Sequence, residues 1–344
     1  MKIKTTLCHT ISDDIASIQL EEVMLPDPAD DEVQVSIRAC AVNFPDILMI
    51  QGKYQFAPPL PFAPGGEAAG EVIKVGRNVT RFREGDRVVF GSRYGGFAEA
   101  INVAESQLDH IPGKLSFEKA ASYQTTYLTA YVALKIRGNL QSGEALLVHG
   151  ATGGVGMAAV DLGKHMGALV IATGGTDDKL KVVKARGADH VINYTQADGT
   201  LGGFREEVKA LTGGQGADVI YDPVGGTVFD ESMRCINWGG RILTIGFTSG
   251  VWPQAPVNLI LIKQIAVIGV RAGEIGRKDP ELGRQNQAAL RELVEQGAID
   301  PYVCAGFPLE AAVDAMRMLT ERRVVGKVVV LMNGYKMAGE EVHA

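Results

Sequence analysis

Val148-His149-Gly150-Ala151-Thr152-Gly153-Gly154-Val155-Gly156 joins a short apolar run, Ala145-Leu146-Leu147-Val148, to a helical pattern that continues to His165. Its glycines at 150, 153 and 156 are spaced GxxGxxG, one residue longer at the front than the usual dinucleotide fingerprint. The physical requirement is the same. The backbone must turn tightly, approach a pyrophosphate without Cβ interference, and let the following helix pack close to its strand. The helix start then presents unpaired N–H groups and a positive dipole end to an anion. A glycine pattern standing between a strand and a helix has the context this reading requires.

The same grammar extends on both sides. From about residue 117, short buried-strand patterns alternate with helical ones. Strands are expected at 145–148, 168–173, 190–193, 219–222, 241–246 and 265–270, with helices at 153–165, 177–186, 204–211 and 228–236 between them. Six short strands with helical crossovers imply an α/β chain with a doubly wound parallel sheet. Residues 1–115 read differently. Val33, Val35 and Ile37 alternate with Gln34, Ser36 and Arg38 as a half-buried strand, and 71–75 and 87–90 follow as further strands between Pro- and Gly-marked turns. After residue 272 come helices at 280–296 and 309–321 and a strand at 327–331, too little for a third domain and expected to return to the first. Asn333 to Ala344 reads as a frayed end.

At 344 residues the chain has room for two domains and a core that needs no disulfide or metal to form. Glycine is the outlier, 42 residues or about 12% against ~7% usually. The net charge of −6 excludes a clustered basic face as a global property, so no nucleic-acid partner is expected. Cys8, Cys40, Cys235 and Cys304 form no CxxC pair, and a reducing compartment is the simple reading. The most apolar stretch, Val257 to Val270, is broken by Asn258, Lys263 and Gln264 and is too short to span a bilayer. The opening residues run quickly into Ser12-Asp13-Asp14, unlike a signal peptide, so a cytoplasmic location and no membrane partner are expected.

The second strand runs into Gly174-Gly175-Thr176-Asp177-Asp178-Lys179. An NAD site places an acid at this strand end to hold the ribose 2′-OH. None stands there. Asp177 and Asp178 read as first-turn helix acids behind a cap at Thr176, which leaves Gly, Thr and Lys for a 2′-phosphate and favours NADPH over NADH. His149 reads as a satisfied buried histidine rather than a base. No GxSxG, HExxH or GxxxxGK[ST] pattern occurs.

The ordered segments Asn43-Phe44-Pro45-Asp46, Pro64-Gly65-Gly66-Glu67-Ala68-Ala69-Gly70, Gly85-Asp86-Arg87-Val88, the 148–156 turn and Gly326-Lys327-Val328-Val329 cover nearly the whole chain. Together they resemble the medium-chain dehydrogenase/reductases, and within them the zinc-independent NADPH:quinone oxidoreductases, the zeta-crystallin-like group. The resemblance implies a GroES-like β-rich domain, 1–125 and 272–344, interrupted by a Rossmann domain, 126–271, with the active site in the cleft between them. Zinc alcohol dehydrogenases carry a Cys ligand where this chain has Asn43 and a His where it has Gly66. A catalytic zinc needs three protein ligands, so no metal is expected, and Glu67 reads as structural. Cys40 reads as core.

The resemblance also implies site residues. Asn43, Asp46 and Tyr54 stand on the substrate side: Asn43 to hydrogen-bond a carbonyl or the nicotinamide ribose, Asp46 to orient its neighbours, Tyr54 to donate a proton. For Asp46 an ordinary helix-capping role is the open alternative, and for Tyr54 an exposed loop tyrosine. Gly153, Gly154 and Val155 match the pyrophosphate turn, Thr176, Lys179 and Tyr194 the 2′-phosphate and adenosine ribose, and Thr129 the nicotinamide ribose. Phe247 and Arg271 match the nicotinamide side. Arg322 matches a basic residue reaching the cofactor, with Arg323 competing for that role.

Without zinc, the acceptor should be a small-molecule electrophile needing little activation, a quinone or an activated alkene. Hydride transfer from NADPH to quinones is the leading expectation. Reduction of enoyl thioesters is the alternative, since Met49 to Tyr54 and Pro59-Leu60-Pro61 also resemble mitochondrial 2-enoyl thioester reductases. A third is an NADPH-binding protein without enzymatic role. By family, a homodimer through the apolar edge strand 265–270 is expected.

Overall fold

Strand Glu32–Ala41 is the spine of the first of two units in the computed structural model, which describes residues 1–337. Contacts divide the chain into Met1–Gln124 together with the residues from Asp300 onward, and Thr125–Ile299.

In the first unit, β1 (Lys2–Leu7) and β2 (Gln19–Met24) form an antiparallel pair. β3 (Glu32–Ala41), β4 (Glu67–Val75), β5 (Arg87–Gly91), β6 (Ala100–Ala104) and β7 (Leu108–His110) follow. A helix, Phe44–Ile50, lies between β3 and β4. Val33, Val35 and Ile37 of β3 are buried as their alternation requires. Gln34, expected on the wet face, is buried too, and its amide donates to the Pro26 carbonyl and Asn102 Oδ1 at 3.0 Å each.

The second unit holds β8 (Ala145–Val148), β9 (Leu169–Gly174), β10 (His190–Asn193), β11 (Ala217–Asp222), β12 (Ile236–Thr244) and β13 (Ala266–Gly269). All pair in parallel, in the order β10-β9-β8-β11-β12-β13. This is the doubly wound Rossmann order, and the six strands are those expected. Its crevice opens where the order reverses, beyond the C-terminal ends of β8 and β11. Helices Gly154–His165, Asp177–Ala185, Arg205–Leu211 and Thr227–Cys235 make the crossovers. A further helix, Val257–Lys263, precedes β13 and buries none of its residues.

The return to the first unit begins at Asp300, not at 272 as expected from the sequence. Helix Pro280–Glu295 buries Asn286, Leu290 and Val294, spaced four residues apart on one face, and groups by its contacts with the second unit. β14 (Val303–Pro308), helix Ala312–Thr320 and β15 (Lys327–Leu331) complete the first unit. Its main sheet runs β14-β15-β3-β4-β5-β7, with β6 on β3. Residues 333–337 are not frayed: Tyr335 packs edge-on against Phe117 and its hydroxyl donates to Glu118 at 2.6 Å. Residues 338–344 lie outside the described part of the chain.

Candidate functional site

At the end of β8 the chain makes the tight turn its glycines call for. Gly150 adopts φ +56°, which L side chains rarely tolerate. At Gly156 a Cβ would stand 2.3 Å from the Gly150 carbonyl oxygen, so only glycine lets helix 154–165 close on the turn. Gly153 takes the cap position of that helix and has no side chain to offer its N–H groups. Gly154, Val155 and Gly156 form the first turn, whose donors have no intrahelical partner. Behind the turn, His149 is fully buried, with Nδ1 2.8 Å from Thr173 Oγ1 and Nε2 2.8 Å from Ser232 Oγ. Burial pushes its pKa down to about 3, so the ring is neutral and serves as a core strut.

The neighbouring strand ends converge on this turn. A Cβ on Gly174, the last residue of β9, would meet Thr152 Cγ2 at 2.8 Å. Gly174 carbonyl accepts from the Tyr194 N–H, and Gly175 carbonyl accepts from Thr195 Oγ1. No acid ends β9. Asp177 accepts from Asn193 Nδ2 at 2.9 Å and Asp178 pairs with Lys181 at 2.8 Å, so both acids are held locally in the first helical turn. Thr176 occupies the cap position, but its exposed side chain makes no capping bond, contrary to expectation. Lys179 is half-buried one turn on. Tyr194 is buried, its ring 6.5 Å from that of His149. At the end of β11, Asp222 accepts from the N–H groups of Val224 and Gly225, and Phe247 lies where a Cβ on Gly225 would come within 3.1 Å of its ring. Arg271, two residues past β13, is exposed and 3.7 Å from Glu274. Thr129 is half-buried, its hydroxyl donating to the Thr125 carbonyl.

In the first unit, Asn43 and Asp46 come together with Glu67, read from the sequence as structural, and with Lys327, assigned no role there. Asn43 precedes helix 44–50 and is half-buried. Its Nδ2 donates to Glu67 Oε2 at 3.3 Å, and its Oδ1 accepts from Lys327 Nζ at 2.6 Å. Lys327 also donates to the Val42 carbonyl at 3.1 Å. Asp46, Glu67 and Lys327 are all buried. Asp46 accepts from the backbone N–H of Asn43 at 2.7 Å and of Gly65 at 3.2 Å, so it clamps the helix start to the loop before β4. Burial pushes its pKa up to about 6, opposed by those two N–H groups and by Lys327. Burial also lowers the pKa of Lys327, against the pull of Glu67 and Asp46. Gly326 (φ +66°), where a Cβ would sit 2.4 Å from the Tyr302 carbonyl oxygen, sets the bend that delivers Lys327. Tyr54 is half-buried against the same core, and Arg322 is exposed in left-handed backbone at φ +55°. Among the described residues no group of three or more His, Cys, Asp and Glu is placed to hold a metal ion. A side chain at Gly66 would bring its Cβ within 3.1 Å of the Ser92 carbonyl oxygen.

Two family models match: the alcohol dehydrogenase GroES-like domain over residues 29–113, and the zinc-binding dehydrogenase family over 154–291. The chain belongs to the medium-chain dehydrogenase/reductase superfamily, as a quinone oxidoreductase-like oxidoreductase. It is 39% identical over 301 residues to the quinone oxidoreductase-like protein 2 homolog of Nematostella vectensis, covering 87% of this chain and 81% of that one. Human quinone oxidoreductase is 30% identical, with 90% of this chain and 92% of that one aligned. The structure of Escherichia coli quinone oxidoreductase complexed with NADPH superposes with a TM-score of 0.84 at 31% identity, covering 95% and 99% of the two chains. No helix among the described residues is long and apolar enough to cross a membrane.

Proposed function

We propose that this protein is an NADPH-dependent quinone reductase that works without zinc. One observation carries the reading. At the positions where zinc dehydrogenases hold their metal, this chain has the Asn43 amide and Gly66, and the adjoining carboxylate, Glu67, is bonded to that amide rather than free for a cation. An amide and a glycine cannot supply the thiolate and imidazole a catalytic zinc needs. The acceptor must then bring its own electrophilicity, as a quinone does.

The dinucleotide fits the second unit. The turn at Gly153, Gly154 and Val155 offers first-turn N–H groups to a pyrophosphate. Thr176 and Lys179 stand beyond an acid-free strand end, suited to a 2′-phosphate, with Tyr194 beside them. Thr129, Phe247 and Arg271 are assigned to the nicotinamide end, and Arg322 to the cofactor as a basic contact. Bound there, reduced nicotinamide supplies the hydride. Asn43 keeps one Nδ2 hydrogen beyond its bond to Glu67, available to a carbonyl oxygen that gains negative charge as it is reduced. Asp46 fixes the helix start from which that amide projects. Quinol oxygens can take their protons from water, so quinone reduction does not require Tyr54.

The alternative acceptor is an activated alkene such as an enoyl thioester, for which half-buried Tyr54 is the candidate proton donor. The test is NADPH oxidation by the purified protein against a benzoquinone, a naphthoquinone, an enoyl-CoA and an aldehyde. Turnover of the quinones with an inert aldehyde is expected. Aldehyde reduction dependent on stoichiometric zinc would overturn the reading, and turnover of the enoyl-CoA alone would transfer it to alkenes.

A homodimer through 265–270 belongs to the same proposal. Among the described residues β13 pairs only with β12, and beside it helix 257–263 presents Val257, Leu261 and Ile262 at 76, 78 and 68% exposure. An open sheet edge flanked by aliphatic side chains is a surface a second copy can cover.

A further inference from the structure

Asn43 sits between two opposite charges, and this decides which way its amide points. Lys327 Nζ is 2.6 Å from Oδ1, and Glu67 Oε2 is 3.3 Å from Nδ2. Reversing the amide would set its NH2 against an ammonium and its carbonyl oxygen against a carboxylate, two repulsions in place of two charge-assisted bonds. Both charged partners are buried, so water does not screen them. Lys327 is itself held by the Val42 carbonyl and by the register of β15 on β3, where Val329 pairs with Ala41 and Val330 with Cys40.

We infer that Lys327 is a positioning residue for Asn43: with Glu67 it locks the amide so that a donor N–H, never the carbonyl oxygen, faces the substrate. This rests on the quinone-reductase reading for its kinetic consequence, though not for the locked amide itself. A locked donor favours an acceptor that becomes more negative during the reaction. A freely flipping amide would present its oxygen part of the time and repel the same group.

Removing Lys327 alone would leave two buried carboxylates without a counter-charge and endanger folding. The informative variant is Lys327→Met/Glu67→Gln, with Lys327→Arg as the conservative change. Against a naphthoquinone, kcat should fall ten- to a hundredfold in the double variant, with the NADPH Kd within twofold of wild type and partial recovery in Lys327→Arg. In an Asn43→Ala background, the same two changes should cause no further loss. Independently of turnover, the Asn43 Nδ2 hydrogen bonded to Glu67, one of the 15N pair missing from Asn43→Ala, should exchange with solvent at least tenfold more slowly in wild type than in the double variant. Unchanged amide exchange would overturn the lock. A full additional loss on top of Asn43→Ala would show that Lys327 acts on its own. A wild type that reduces no quinone but keeps the protected amide would refute the proposed activity and leave the lock standing.

Discussion

His149 Nε2 and Ser232 Oγ stand 2.8 Å apart in the core directly behind the glycine turn, and Thr173 closes the other side of the ring. The ring must stay neutral to stay there. Its pKa is about 3 when folded against an ordinary value of 6.5. A depressed histidine means the unfolded chain binds more protons between those values, so stability falls as pH drops through that window. Acidification from pH 7 to 5 should cost on the order of 2 kcal/mol through this residue. Chemical unfolding of wild type and His149→Gln at both pH values checks it: the variant should lose less stability on acidification by that margin.

Asp46 has the opposite sign. Its folded pKa of about 6 lies above the ordinary 3.8, so here the folded state binds the extra proton. Its contribution is most favourable near pH 4 and declines until the carboxyl is ionised above pH 6. The stability difference between wild type and Asp46→Asn should shrink by roughly 2 kcal/mol from pH 4 to pH 7. A pH-independent difference would mean that the carboxyl is not desolvated.

Gly156→Ala should weaken dinucleotide binding. The added methyl would sit 2.3 Å from the Gly150 carbonyl oxygen and 2.8 Å from Ala151 Cα, both backbone atoms that cannot swing away. The helix must back off from the turn, at a cost of about 1–3 kcal/mol. Fluorescence titration should show NADPH affinity reduced at least tenfold, beside a lowered melting temperature.

Lys179→Ala separates the two coenzymes. Removing a cation from a 2′-phosphate site should weaken NADPH binding by about tenfold, which is ~1.4 kcal/mol, and leave NADH within twofold. Equal losses for both would assign Lys179 to the pyrophosphate, and no loss with either would assign it to solvent.

Leu261→Glu/Ile262→Glu tests the assembly. Both side chains are exposed in the single chain, so the double substitution should leave its fold intact while light scattering shifts from dimer to monomer. A wild type already monomeric at micromolar concentration would remove the proposal.

The second unit was largely legible because its signals are local. Each strand is only four to nine residues long and carries a short apolar stretch, and the glycine turn is marked by its spacing together with the strand before it and the helix after it. The helix 257–263 is hard to read because Val257, Leu261 and Ile262 face outward while only Leu259 and Ile260 lean on the core, so no fully buried stripe marks it. The boundary at 300 was missed for a related reason: the face of helix 280–295 says that it packs, not against which unit. Asn43 and Asp46 could be singled out by resemblance, and Asp46 indeed serves the helix start as the plainer capping alternative held, while also tying down Gly65. Lys327 gave no local sign, being 284 residues from the amide it grips. A lysine straight after a glycine and before Val-Val-Val reads as a strand entrance, and only the bend at Gly326 turns it inward.

The central place of β15 between β14 and β3 fixes an order of assembly during synthesis. A ribosome releases everything the Rossmann unit requires once Ile299 has emerged, whereas the β-rich unit, begun first, lacks an inner strand until Leu331 is out. Until then the Lys327 ammonium that grips the Asn43 amide is missing from that half. The β-rich half, begun first, can therefore complete its sheet only after the strand made last has left the ribosome.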